Sequence, residues 1–236
     1  MRTTSRFLAL ASSLLMAGTL LVLTQAPASA ATHETRVSVY QSHRIQQWPK
    51  PVTFRGQVQA QNADGSWGYI PGESGTIRLQ RRLEGTSTWR TVGTDTTAGN
   101  YSFSTKAIQN ADYRLLYGGG TYNGEVFTSS YSKARPLLVR RNLNDYFVDR
   151  SRVYLKGNVN PGWAGKIVKI QRKTCNSCAY SLYTTVRTDS EGRFVSALPA
   201  RRSGSYYYRA LVQGTEAYAA SPARTSTDRV LPAPAS

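Results

Sequence analysis

Two cysteines, two histidines and 13 carboxylates are all that this 236-residue chain holds for metal, redox or hydrolytic chemistry. The cysteines stand as Cys175-Asn-Ser-Cys178. In a redox enzyme that spacing places the first thiol at a helix N-terminus, where the dipole lowers its pKa. No helical pattern surrounds it here, and zinc would need two further ligands with no other cysteine to supply them. The expectation is a disulfide across a turn, whose ends come within the roughly 4.4–6.8 Å Cα separation a bridge requires. His33 and His43 lie on the N-terminal approach, outside the expected strands that could hold a site rigidly, whereas triads and general-base mechanisms usually need a histidine oriented by a carboxylate. No G-x-S-x-G, H-E-x-x-H or Gly-rich phosphate loop occurs. Asp189 and Glu191 fall in Thr188-Asp-Ser-Glu-Gly192, a turn sequence far short of the roughly six to eight oxygens calcium takes. The expectation is a protein that is no enzyme, holds no metal and needs no cofactor.

Aromatic residues offer binding chemistry instead. The stretch Ala60–Ser74 contains Trp67 and Tyr69, and the loop Asn160-Pro-Gly-Trp163-Ala-Gly165 contains Trp163. Trp and Tyr on end loops supply most of the contact energy at recognition surfaces, so Trp67, Tyr69 and Trp163 are the candidate ligand-binding residues. The alternative is an ordinary hairpin whose rings fold back onto the protein body. Trp89 and Leu182 are expected in the core as counterparts.

These side chains must be held by strands. Short runs rich in Val, Ile, Tyr and Thr recur along the chain, punctuated by Gly, Asn, Asp and Pro about every ten residues, the pattern of an all-β sandwich. Strands are expected near 35–40, 52–59, 76–82, 88–94, 101–105, 111–117 and 131–139. A second set is expected near 144–149, 152–159, 166–173, 180–187, 193–197, 205–212 and 223–230. The two sets match by residue. Val52-Thr-Phe-Arg-Gly56-Gln-Val58 pairs with Val153-Tyr-Leu-Lys-Gly157-Asn-Val159, and Ile77-Arg-Leu-Gln-Arg81 with Val168-Lys-Ile-Gln-Arg172. Gly99-Asn-Tyr101 pairs with Gly192-Arg-Phe194, and Tyr113-Arg114 with Tyr208-Arg209. The offset falls from 101 at Gly56/Gly157 to 91 at Gln80/Gln171, so the first copy carries ten extra residues within Ala60–Ser74. Alternation points Ile77, Leu79, Val168 and Ile170 inward and sends Arg78, Gln80, Lys169 and Gln171 to solvent. Tyr113 and Tyr208 stand where a sandwich places a buried ring tied to backbone through its hydroxyl, and Arg114 and Arg209 are expected to face outward.

This ordered set of motifs resembles the tandem immunoglobulin-like domains of exported actinobacterial proteins and covers essentially the whole chain after residue 30. The strand count and the resemblance together lead to the expectation of two seven-stranded, immunoglobulin-like (fibronectin III-like) sandwiches, at 31–140 and 141–230, and Leu231-Pro-Ala-Pro-Ala-Ser236 is expected to be a flexible tail. The resemblance further implies a module for adhesion, spacing or ligand presentation.

The opening segment gives the address. Arg2 and Arg6 precede an apolar stretch, Phe7–Leu23, and Ala28-Ser-Ala30 follows as a signal-peptidase pattern. The expectation is a signal peptide over 1–30, and a secreted, extracellular protein without a membrane span. Lys and Arg number 30 against 13 acids, a net charge of +17. Removing residues 1–30 takes two arginines and leaves +15, divided as +7 over 31–141 and +8 over 142–236. That charge either keeps the protein soluble or draws it to an anionic cell-envelope polymer or polysaccharide through a diffuse, salt-dependent field. No basic run with interleaved aromatics marks a sequence-reading nucleic-acid site. Three functions stay open: a surface-interaction module, a carbohydrate-binding protein or cryptic glycan-acting enzyme using Trp67, Tyr69 and Trp163, and a spacer without a ligand.

Overall fold

The computed structural model describes residues 30–71, 73–96, 99–149, 153–199 and 206–223. The expected signal peptide lies outside them except for Ala30, as do the 231–236 tail and most of the strand expected at 223–230. All regular structure among the described residues is β, and no helix there is long and apolar enough to cross a membrane.

The first half contributes six principal strands: β1 (Pro51–Gln61), β2 (Ile77–Leu83), β3 (Arg90–Asp95), β4 (Asn100–Lys106), β5 (Ala111–Tyr117) and β6 (Arg135–Arg140). The second contributes β7 (Asn142–Asp149), β8 (Val153–Asn160), β9 (Ile167–Lys173), β10 (Ser181–Arg187), β11 (Arg193–Ala197) and β12 (Tyr207–Val212). In the first half β1 pairs with β4 and with the short strands Thr35–Val37 and Tyr40–Gln41, while the other sheet runs β6-β5-β2-β3, with Ile45–Gln47 parallel to β6 at its edge. In the second half the sheets run β7-β8-β11 and β10-β9-β12, the latter edged by Ser221–Pro222.

Period-two burial explains how each pair of sheets closes. β5 alternates perfectly, with Ala111, Tyr113, Leu115 and Tyr117 buried and Asp112, Arg114 and Leu116 turned outward. β12 repeats this with Tyr208, Ala210 and Val212. Ile77 and Leu79, like Val168 and Ile170, are buried as their alternation requires. The buried apolar side chains form two clusters. One gathers Val52, Phe54 and Val58 against Leu79, Tyr113 and Leu115, and the other gathers Leu155 and Val159 against Val168, Ile170 and Tyr208. Both sheets of each half feed one cluster, and Phe54 of β1 stacks on Tyr113 of β5 at 4.6 Å between centroids.

Two irregularities recur at matched positions. A bulge lies opposite Leu79/Gln80 and another opposite Ile170/Gln171, leaving Val92 and Tyr183 as the extra residues of β3 and β10. Gly56 lies directly across from Tyr101, and Gly157 across from Phe194. A Cβ at Gly56 would collide with the Ser38 carbonyl and the Tyr101 hydroxyl, and one at Gly157 with the Asn144 carbonyl and the Phe194 ring. Each strand needs glycine there because a large ring crosses it.

A hairpin absent from the sequence reading joins Gly120–Tyr122 to Glu125–Phe127, and Thr32–His33 adds a parallel strand. Its turn is Asn123-Gly124, both at positive φ, as a tight two-residue hairpin turn demands. His33 therefore sits in a strand, contrary to the expectation for the N-terminal approach; its Nδ1 meets the Gln61 carbonyl at 3.0 Å.

Hydrogen bonds also tie the 213–220 connection to the first half. Asn110 Nδ2 donates to the Glu216 carbonyl at 2.9 Å, its backbone N–H donates to Ala217 O at 2.8 Å, and its Oδ1 accepts from Val139 N at 2.8 Å. Tyr218 Oη donates to Ile108 O at 2.7 Å.

Candidate binding surface

The outward face of β3-β2-β5 is built by alternation. Gln80 and Arg82 on β2 stand directly across from Arg114 and Asp112 on β5. Arg82 pairs with Asp112 at 2.6 Å, and Arg114 Nε donates to Gln80 Oε1 at 2.9 Å. Trp89, just before β3, lies over this row with both guanidiniums on its ring, Arg82 at 4.9 Å and Arg114 at 4.3 Å from the centroid. Arg114 also reaches the exposed ring of Tyr131 at 5.0 Å. A ring quadrupole holds a guanidinium by about 0.5–1 kcal/mol at exposed sites, so these contacts orient the arginines more than they stabilise the fold.

The second half repeats the construction at an offset of 91 on β2/β9. Gln171 stands across from Arg209, whose Nε donates to its Oε1 at 2.8 Å. The Tyr180 ring is approached by Arg209 at 4.0 Å and by Lys173 at 5.1 Å from its centroid. Where the first half pairs Arg82 with Asp112, the second sets Lys173 across from Tyr207, whose ring it approaches at 4.9 Å. The second face therefore lacks the acidic member of that pair.

This geometry corrects the expectation for Trp89 and Leu182. Trp89 is half-buried on the outer face, its counterpart is Tyr180, and Leu182 is 59% exposed. The bulged residues Val92 and Tyr183 keep the same offset of 91 that relates Trp89 to Tyr180, and pairing Trp89 with Leu182 runs two residues too far along. Arg114 and Arg209 do face outward, each held by a glutamine and a ring.

Tyr113 and Tyr208 are buried, but their hydroxyls are not tied to backbone. Each faces the arginine directly across the strand pair, Arg81 or Arg172. Burial raises both phenol pKa values, and the arginine partly offsets it. Tyrosines that do bond backbone include Tyr101, to Ser38 O, Tyr117, to Ser74 O at 2.8 Å, and Tyr218, to Ile108 O at 2.7 Å. Burial pushes Tyr117 up to about 12.

The three aromatic candidates do not converge. Trp67 and Tyr69 lie two apart on the short strand Trp67–Tyr69, paired with the end of β1. Arg36 covers Trp67 at 4.3 Å, and its Nε donates to Gln59 Oε1 at 2.8 Å, a third arginine-glutamine-aromatic set. Tyr69 is 68% exposed. Trp163 is buried in the second core, with Nε1 donating to Ile167 O at 3.1 Å. Stacking on a ligand needs an open ring face, which Trp163 lacks. Its loop turns the ring inward, and Arg141 lies over it at 4.4 Å.

Cys175 and Cys178 form the expected disulfide, with Cα atoms 5.1 Å apart in the β9–β10 connection that leads into Tyr180. Asp189 is committed to its own turn, where Oδ1 accepts from the backbone of Glu191 and Arg193. No family model and no curated protein matches this chain, so the chemistry of these faces carries the functional reading.

Proposed function

We propose that the chain is an exported, non-catalytic protein of two immunoglobulin-like sandwiches of fibronectin III-like strand order, which binds an anionic cell-envelope polymer through its arginine-aromatic faces. The observation that carries this reading is the repeated pair of cations on one ring, Arg82 and Arg114 on Trp89 and Lys173 and Arg209 on Tyr180. A guanidinium oriented by a ring and a glutamine loses less freedom when it meets a phosphate or carboxylate, and its fork suits either. Two such faces on one chain suit a repeating ligand, because the second engagement follows at high effective concentration. The excess of basic residues adds long-range attraction. The disulfide supports an oxidising, extracellular destination.

Retention of the mature protein on immobilised anionic wall polymer, against a neutral glycan, tests the reading. Retention is expected on the anionic matrix alone. A second reading, stacking on a neutral glycan, rests on the exposed ring of Tyr69 beside Trp67 and now excludes Trp163. It predicts retention on the neutral matrix that salt does not weaken and Tyr69→Ala removes.

A further inference from the structure

Along β1 the inward positions include Val52, Phe54 and Val58, so Arg55 and Gln57 point to the outer face of their sheet. Register sets two further side chains beside them. Tyr40 stands directly across from Arg55 on one flank of β1, and Asn100 of β4 directly across from Gln57 on the other. Residues so paired have Cβ atoms about 4.5–5.5 Å apart, and the two rows are separated by two residues of strand, about 7 Å. Tyr40 is 65% exposed, and Arg55 and Asn100 are exposed with it. These four residues line an open groove of about 420 Å³, completed by Gly56 and Tyr101, and none of the six is acidic. The volume falls within the roughly 300–1,000 Å³ of small-molecule sites.

The second half repeats this plan with altered chemistry. Tyr146, also exposed, stands across from Lys156, and Asn158 across from Arg193. The guanidinium fork on the central strand is thereby replaced by a point charge, and Arg193 is paired with Glu191. Val195 stands across from Lys156 where Ser102 stands across from Arg55. An exposed tyrosine facing a cation is common to both halves, but the first sets an arginine beside two carboxamides.

Each of these groups fits a different part of one kind of ligand. The arginine fork matches a carboxylate through two parallel hydrogen bonds. Each carboxamide offers donors and an acceptor, which suits hydroxyl groups. The exposed tyrosine ring offers an apolar face to the C–H face of a pyranose. A simple inorganic anion would use the arginine and leave the ring and the amides idle. We propose that this groove binds one acidic sugar unit, a pyranose carrying a carboxylate, with Arg55 on the carboxylate, Gln57 and Asn100 on hydroxyls and Tyr40 against the sugar ring. The site lies on the other sheet from the arginine-aromatic face of the first half and does not rest on polymer binding through that face.

The test is a titration of the full mature protein, followed by amide NMR, with glucuronic acid, glucose and acetate in turn at constant ionic strength. Saturable shifts at the amides of Gly56, Gln57 and Ser102 are expected with glucuronic acid, at an affinity about tenfold above that for glucose or acetate. Arg55→Gln should bring glucuronic acid down to the affinity of glucose, and Tyr40→Ala should weaken both sugars. Both side chains are exposed, so neither change removes a core contact. Replacing Arg114 and Arg209 by Gln should leave these titrations unchanged. The proposal is overturned by an absence of saturable shifts at these amides, by equal affinity for glucuronic acid and either control, by binding indifferent to Arg55→Gln or Tyr40→Ala, or by loss of binding in the Arg114→Gln/Arg209→Gln variant.

Discussion

Arg114 Nε donates to Gln80 Oε1 at 2.9 Å directly across the β2–β5 pair, with Trp89 on the face of the same guanidinium. Arg209 and Gln171 reproduce the bond at 2.8 Å. Conserving this detail across both halves would serve little for stability, since exposed cation–ring and ion-pair contacts contribute up to about 1 kcal/mol each. Replacing Arg114 and Arg209 together by Gln should lower unfolding free energy by no more than about 2 kcal/mol, with an unchanged circular dichroism spectrum. A larger loss in chemical denaturation would make these arginines structural.

The crossing of β1 by Tyr101 and of β8 by Phe194 predicts intolerance at the facing glycines. Gly56→Ala and Gly157→Ala should each destabilise by about 1–3 kcal/mol, the range for overpacking a filled site. Urea unfolding measures this, and a neutral result would show that the rings can move aside.

Asn110 makes four hydrogen bonds, which join Glu84, β6 and the 213–220 connection to its loop. Asn110→Ala leaves the Val139 N–H and the Glu216 carbonyl without this partner, a cost of about 1–3 kcal/mol for a buried group. Amide exchange at Val139 should accelerate selectively, while exchange in β8 and β9 should not change.

Alternation made the inward faces readable from sequence, because Ile77/Leu79 and Val168/Ile170 sit at period two with nothing to interrupt them. The disulfide was readable because so short a spacing admits few structures. The binding faces were not. Arginines and rings that interleave in space come from different strands, so no pattern within one strand reveals them, although the offset of 91 that relates Gln80 to Gln171 also relates Trp89 to Tyr180. The inward turn of Trp163 depends on its loop conformation, which periodicity does not describe. The hairpin at Asn123-Gly124 did carry a signal, the dipeptide itself, and was missed.

Buried tyrosines set the alkaline limit. Tyr117 is raised from 10.0 to about 12 by burial, and Tyr101, Tyr113 and Tyr208 are raised for the same reason. The unfolded chain loses these phenol protons first, so this stabilisation is complete below pH 10 and is lost as pH rises toward 12 and beyond. Absorbance titration should show part of the 15 tyrosines ionising only as the fold is lost. Ionisation of all of them near their ordinary pKa in folded protein would contradict the burial.

The salt dependence of binding to isolated anionic wall polymer, compared between the wild type and the Arg114→Gln/Arg209→Gln variant, tests the polymer-binding reading most directly. Each neutralised phosphate releases counter-ions, so wild-type affinity should fall by about a decade or more between low and physiological salt. The variant should bind more weakly at low salt and show a shallower slope, because it neutralises fewer charges. Identical affinity and slope in the two proteins, or wild-type binding that salt does not weaken, would contradict the assignment of the arginine-aromatic faces.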